Sequence, residues 1–516
     1  MTGGYDLSKH LSTLKQVLGS TEVREKTLKE FLNYIGGERR PSRSGAWLDS
    51  VDPSTGQVWA RIPASTAGDV DDAVRAAQHA FDSGDWTDLP AAERAARLRA
   101  WADAIETNAE WLSEVETRDN GRPLRETRFA QLPGAAMQVR YIAGLAENIQ
   151  GSTVDVRPGA FAYTRWEPVG VTALIIPWNG PLPVFFAKVA ASLAAGNAIV
   201  VKPAQQATVS ILEATRLFDE LDIPPGLVNV VSGRGSKVGD AVTGHPGIGK
   251  ISFTGSTETG RRVMERATVN IKNLLLELGG KSPNIVFADA DLDAAVAGVS
   301  AGVFTPNAGQ ACVAGSRVLI EASVYDDFVE RLAAHARSIA VGDPMDLATG
   351  MGPLATESQY DTVRSYLRLG QEEGARLAVG GRTTQDLIKE GSPLRGGFYA
   401  EPSLFTTEDN GLRISQEEIF GPVAVALPFD GEDQAVTLAN NTPYGLAAGV
   451  WTEDVRRAHR MANRLRAGNV WVNTYKAMHW AMPFGGQKQS GNGGTANGAT
   501  ALHEWMDLKS VWMNVE

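Results

Sequence analysis

Cys312 is the one cysteine among 516 residues, and it stands in the run Asn307-Ala308-Gly309-Gln310-Ala311-Cys312-Val313-Ala314-Gly315-Ser316-Arg317. A lone thiol builds no disulfide, so it either packs as a small hydrophobe or reacts. Small residues on both sides, with a glycine beside an amide, describe a loop that backbone and substrate can approach closely. That suits a nucleophile better than a core side chain. A second group ends an apolar run, Leu274-Leu275-Leu276-Glu277-Leu278-Gly279-Gly280-Lys281. A carboxylate there either turns to water or stays among apolar walls, where burial makes it a stronger general base. A third is Asn179, between two prolines in Ile176-Pro177-Trp178-Asn179-Gly180-Pro181. Taken alone, an Asx-turn accounts for it.

Such groups need a scaffold. Val171–Ile176, Ala198–Val201, Leu227–Val231 and Ile251–Phe253 are short β-branched apolar runs separated by helical patterns at 184–193 and 208–221. Alternating buried strands and helices predict βαβ units and a parallel sheet, which binds ligands at the carboxyl ends of its strands. The candidate groups follow those runs directly. Lys202 and Gln205 come after the second run, and Gly255, Ser256 and Gly260 open a helix after the fourth. The amides of that helix can receive a pyrophosphate. Its Gly-x4-Gly spacing is a weak dinucleotide signal by itself. A second α/β segment begins near Leu278, with strands at 317–321, 423–427, 446–451 and 469–472. Residues 70–149 read as helical, and their Arg and Glu as a solvated face. Residues 1–30 read as an appended amphipathic helix.

Eight ordered blocks then identify the chain as a member of the aldehyde dehydrogenase superfamily: PWNGPL from Pro177, NAIVVKPA ending at Ala204, FTGSTETG, LELGGKSPNIV from Leu276, NAGQACVAGSR, EEIFGPV from Glu417, NNTPYGLAAGVWT from Asn440, and AGNVWVNTY…PFGGQKQSG from Ala467. The resemblance runs from about residue 30 to the C-terminus. It implies an α/β fold with a Rossmann-like parallel-sheet cofactor domain (31–150 and 171–277), a second α/β catalytic domain (278–484) and a small β oligomerisation excursion (151–170 and 485–516). It implies NAD, or NADP, as cofactor. In this resemblance the Cys312 thiolate attacks the aldehyde carbon, and the Asn179 amide with the Cys312 N–H holds the oxyanion. Glu277 then activates water on the resulting thioester, which favours hydrolysis over transfer to coenzyme A. Lys188 would support the site through water. Lys202 and Glu418 would reach the riboses and Ser256 the pyrophosphate, with Gln205, Ile176, Trp178, Gly255, Gly260, Leu278 and Phe420 nearby.

Three departures bear on specificity. Gln205 replaces a glutamate that repels a 2′-phosphate, and Arg234 could assist, so NADP is admitted although NAD is preferred. Gly180 and Ala187 replace bulky tunnel residues, while Tyr475, Met478, His479, Trp480, Met482 and Phe484 form an apolar opposing segment. A bulky apolar aldehyde, aromatic or cyclic, follows. The alternatives are a small aliphatic aldehyde, a semialdehyde, or a non-catalytic descendant; Trp480 or Met478 swinging inward would refill the space. Gly494-Thr495 replaces a structural Arg-Glu pair.

The bulk composition agrees. A net charge of −11 argues against nucleic acid or an anionic membrane as partner. No apolar run reaches the length of a bilayer span, and no metal-ligand cluster is evident. The expectation is a cytoplasmic homodimer or homotetramer.

Overall fold

The computed structural model describes residues 28–516, so the appended helix expected at 1–30 lies almost entirely outside the described residues. The architecture is mixed α/β, built on two seven-stranded sheets.

In the first sheet Asn273–Glu277, Lys250–Thr254, Val171–Ile176, Ala198–Pro203 and Val228–Val230 run parallel in that spatial order. They coincide with the apolar runs read from the sequence. Asn33–Ile35 and Glu38–Arg40 continue the sheet antiparallel, and Trp47–Asp52 pairs with Gln57–Pro63 beside it. Those four strands were not legible in the sequence. They are strands of mixed polarity, without the continuous apolar run that marks a buried parallel strand.

The helical stretch resolves into Ala67–Asp82, Ala91–Thr107, Ala109–Asn120 and Leu132–Ala146, with a π-turn at Thr127–Gln131. Not all of its charges are solvated, as the periodicity implied. Glu116, Asp119 and Arg122 are buried: Asp119 accepts from Ser210 N and Oγ and from Ser50 Oγ, and the turn that leads to Arg122 packs against Pro353. Gly121 closes that turn at φ +79°, and a Cβ there would lie 2.8 Å from Pro353 Cγ. Helix Pro181–Ala194 begins directly after Asn179 with proline at its first position, where no N–H is missed. Trp101 packs edge-on against its Phe185 and Phe186, at 6.3 and 5.4 Å between centroids, which fixes the helix that carries Lys188. The helix expected over 208–221 is instead Val209–Ala214 followed by a 3₁₀ segment, Thr215–Glu220.

The second sheet orders Arg376–Val379, Ser403–Thr406, Val423–Phe429, Arg317–Glu321, Pro283–Val286, Ala447–Trp451 and Asn469–Val472, parallel except at its first pair. Helix Leu292–Val303, capped by the Asp291 side chain on the amides of Asp293 and Ala294, leads into the Cys312 loop.

A three-stranded antiparallel sheet joins Thr153–Val154, Ala160–Pro168 and Met506–Asn514. The stretch 485–505 is not part of it. Gln487–Lys488 pairs with Tyr444–Gly445, and Leu502 and Trp505 are buried in the first core. Asn197, fully buried, ties this region to the first sheet. Its Oδ1 accepts from Gly170 N at 3.0 Å, and its Nδ2 donates to Trp505 O at 2.9 Å. Asn197→Ala leaves those buried backbone groups unpaired and is expected to cost about 3 kcal/mol. A lowered urea midpoint checks it; an unchanged midpoint contradicts it.

Candidate active site

Glu277 is the last residue of its strand, and strand Pro283–Val286 of the other sheet begins after only five intervening residues, 278–282. The connection works because it contains two glycines. A Cβ on Gly279 would stand 2.1 Å from Glu418 Oε2, and one on Gly280 would stand 2.4 Å from the Cys312 carbonyl oxygen. Glycine therefore lets the Glu277 segment touch both the Glu418 loop and the Cys312 loop. Gly280 N donates to Glu418 Oε1 at 2.9 Å. Burial pushes the Glu418 carboxyl up to about 7.

Glu277 is held by one oxygen. Thr254 Oγ1 donates to Oε2 at 2.9 Å, and Lys188 Nζ stands 3.7 Å from the same atom. Its Oε1 is buried without a hydrogen-bond partner and so is free for a water or a substrate proton. Lys188, which the resemblance places in support of the site, is not exposed. It is buried and donates directly to Ser252 Oγ at 2.8 Å and Thr254 Oγ1 at 2.7 Å. Burial lowers it to about 8, against the pull of Glu277. Those bonds tie its helix to the strand carrying Ser252 and Thr254.

Cys312 sits half-buried beside Ala311, Val313, Leu446, Ala447, Trp471 and Phe484. Burial, then the Glu277 and Glu418 carboxylates, push its thiol up to about 12. The expected thiolate is thus disfavoured in this state, because a charged sulfur would be poorly solvated and repelled by two carboxylates. Lys476 opposes them weakly. That lysine escaped the sequence reading. Burial, then Arg122, lowers its ammonium to about 8.

Asn179 lies near the same loop. Its Nδ2 donates to Gln310 O at 2.9 Å. Among the described residues neither the second amide hydrogen nor the Cys312 N–H meets an acceptor. Tyr475, expected as a tunnel wall, is instead buried behind the loop. Its hydroxyl donates to Val313 O at 2.9 Å. Gly302, Gly315 and Gly449 form the slot for its ring, since a Cβ on any of them would come within 2.9 Å of it.

The cofactor candidates line the carboxyl edge of the first sheet. Lys202 is buried and held at about 8 by burial alone, a cation without a carboxylate beside it. Gln205, in a short 3₁₀ turn, is half-buried. Ser256 caps helix Thr257–Ala267 by accepting from Thr259 N at 3.2 Å. A Cβ on Gly260 would stand 2.6 Å from Leu278 Cδ2, and one on Gly255 2.6 Å from Phe253 Cζ, so both glycines serve close packing. Ile176 is buried. Trp178 meets Phe420, a left-handed residue at φ +58°, edge-on at 5.2 Å.

On the substrate side, a Cβ on Gly180 would meet only Gln131 Nε2, at 3.9 Å, and one on Gly134 would meet nothing within 4 Å. Gln131 and Gly134 are one helical turn apart and so share a face. Ala187 is half-buried. No atom of Met478 or Trp480 comes within 4 Å of the Cβ position at Gly180; Met478 is 53% exposed. Phe484 N donates to Thr495 Oγ1 at 3.1 Å, so the Gly494-Thr495 departure is closed locally. Gly134 could have been noticed as a glycine in a helical pattern, which costs about 1 kcal/mol against alanine without a packing reason.

A family model described as the aldehyde dehydrogenase family matches residues 40–511. The chain belongs to that family. Retinal dehydrogenase 2 of Gallus gallus is 41% identical over 93% of this chain and 91% of its own length. PnpE, solved in complex with nicotinamide adenine dinucleotide, superposes with a TM-score of 0.91 at 42% identity, covering 94% of this chain and 98% of that one. Betaine aldehyde dehydrogenase of Staphylococcus aureus, solved with NAD+, gives 0.90 at 37%, covering 94% and 95%. Among the described residues no helix is long and apolar enough to cross a membrane, and no group of three or more His, Cys, Asp or Glu is placed to hold a metal ion.

Because the thiol is held high, alkylation of Cys312 in cofactor-free protein by iodoacetamide should keep rising, by about tenfold per pH unit, from pH 7 past pH 9. A plateau near pH 7 would contradict that assignment.

Proposed function

We propose that this aldehyde dehydrogenase oxidises a bulky apolar aldehyde, aromatic or cyclic, to the carboxylic acid, and that the open face at Gly134 and Gly180 carries that preference. Cys312 Sγ attacks the aldehyde carbon as its proton passes to Glu277, the buried carboxylate whose field opposes the thiolate. The free Asn179 amide hydrogen and the Cys312 N–H receive the oxyanion. One such donor is worth roughly 3–4 kcal/mol at the transition state. NAD, when bound, accepts the hydride that the adduct must lose. Glu277 gives up the thiol proton to solvent and, a carboxylate again, takes a proton through Oε1 from the water that attacks the thioester, with Lys188 and Thr254 fixing its other oxygen. The departing Cys312 sulfur takes that proton back. Lys202, Glu418, Ser256 and Gln205 hold the dinucleotide. NADP is the lesser candidate. The relatives are named for aldehydes as unlike as retinal and betaine aldehyde, so the substrate reading rests on the space itself.

Purified protein with NAD or NADP and a panel from acetaldehyde to benzaldehyde and cyclic terpenoid aldehydes, followed at 340 nm, should show the highest kcat/KM for the bulky apolar members. Cys312→Ser should abolish turnover, and Gly180→Phe should lower kcat/KM for bulky aldehydes about tenfold or more while sparing acetaldehyde. Preference for small aldehydes in the parent protein would sink the pocket reading and leave the chemistry intact. A second reading, a semialdehyde carrying a carboxylate, is favoured by Lys476, whose ammonium acts on Cys312. It requires succinic semialdehyde to outrank benzaldehyde.

We also assign the three-stranded sheet to assembly of a cytoplasmic homodimer or homotetramer, with 31–150 and 171–277 as cofactor domain and 278–484 as catalytic domain. Trp512, Leu508 and Val154 are 64%, 55% and 51% exposed on that sheet, an apolar surface that suits burial against another copy. Light scattering should give two or four copies, and Trp512→Glu should give a smaller species. A monomeric parent protein would refute the assignment.

A further inference from the structure

Outside the reacting groups stand two charges, Arg122 and Glu126, that the proposed reaction does not use. Arg122 follows helix Ala109–Asn120, and its backbone N–H is fixed by Asn120 Oδ1 at 3.0 Å. Its Nη2 donates to the carbonyl oxygen of Asn179 at 2.9 Å. Its Nη1 stands 3.7 Å from Glu126 Oε2, and that same carboxylate oxygen accepts from Asn307 N at 3.1 Å. Asn307 in turn donates from Nδ2 to Asn179 O at 2.8 Å. One ion pair therefore grips both chain segments: the one that carries the Asn179 amide and the one that leads to Cys312.

The second segment needs holding. Asn307, Ala308 and Gly309 take φ of +61°, +50° and +71° in succession. Left-handed backbone costs an ordinary L-residue about 1–2 kcal/mol and persists only where neighbours fix it. Within the loop Gln310 Nε2 donates to Asn307 O at 2.9 Å, and Gln310 Oε1 accepts from Ala355 N at 2.9 Å. The Asn307 N–H is left to Glu126.

We infer that Arg122 and Glu126 are positioning residues that set the separation between the Asn179 amide and Cys312, and through it the oxyanion geometry. The inference rests on Asn179 being an oxyanion donor. Glu126 is the bridge and Arg122 the anchor, so the two act as one unit.

The test uses the full-length protein with NAD and benzaldehyde, comparing Arg122→Met, Arg122→Lys, Glu126→Gln, the Met/Gln double variant and Asn179→Ala. Misplacement of a reacting group by about 1 Å can cost roughly a hundredfold in rate. Arg122→Met is therefore expected to lower kcat about tenfold to a hundredfold with KM for NAD unchanged. Arg122→Lys should recover part of the loss. Glu126→Gln, which keeps an acceptor for Asn307 N, should lose less, and the double variant should be no worse than Arg122→Met alone. A role confined to stability would lower the melting temperature and leave kcat of the folded fraction untouched, which overturns the inference. Should Arg122→Met fail to fold, unchanged kcat in both Arg122→Lys and Glu126→Gln overturns it equally. If Asn179→Ala keeps full kcat, the reading of Asn179 fails. If Asn179→Ala is impaired while the Arg122 and Glu126 variants are not, only the bracing fails.

Discussion

Two parallel sheets meet here at their functional ends, and the contact between them is made by backbone. The strand ending in Glu277 and the strand beginning at Pro283 are separated by five residues. Any side chain on Gly279 or Gly280 would collide with Glu418 or with the Cys312 carbonyl. That close approach sets the rest. It brings a carboxylate from one sheet within electrostatic reach of a thiol from the other, in a site where both are largely withdrawn from water. Charged groups at the junction are buried with it, and two of them find partners within the protein. Lys188 meets two hydroxyls and Glu277, and Glu418 meets a backbone amide.

Shielding has a chemical consequence. A thiol pushed up to about 12 does not ionise on its own at neutral pH, so in the proposed reaction attack and proton removal are coupled. A sulfur that ionises only as it attacks is protected from adventitious oxidation or alkylation. Low polarity also strengthens the oxyanion donors, which act with more force in a water-poor site. The same burial that discourages the thiolate thus favours the tetrahedral adduct, whose charge lies on oxygen next to two N–H groups.

Much of this was legible in the sequence. The strands at 171–176, 317–321 and 469–472 are β-branched apolar runs, and the structure places strands at the same residues. The groups at their ends carry the candidate chemistry because parallel sheets open at the carboxyl edge. What was not legible depends on contacts between distant segments. Arg122 and Glu126 look like any charged pair in a helical stretch, and only their contacts with Asn179 and Asn307 set them apart. Tyr475 looks like an aromatic lining residue until three glycines from separate elements are seen to receive its ring. Lys188 follows the same logic, since a lysine on a helix reads as exposed unless the opposite wall is known. Gly134 becomes informative only once the space beside it is found empty among the described residues.

The most direct test of the chemistry uses the fact that the chain has a single thiol. Glu277→Gln protein lacks the base for both steps, so with NAD and a bulky apolar aldehyde it should acylate only slowly at neutral pH. After long incubation at pH 9, where hydroxide can take the thiol proton, and an acid quench, it should carry the mass of one acyl group on Cys312, with about one equivalent of NADH formed per site. That is the result expected if the carbon is oxidised on sulfur and Glu277 is needed for its release. NADH formed in a stoichiometric burst with no covalent mass, or full multiple turnover by this variant, would contradict the account.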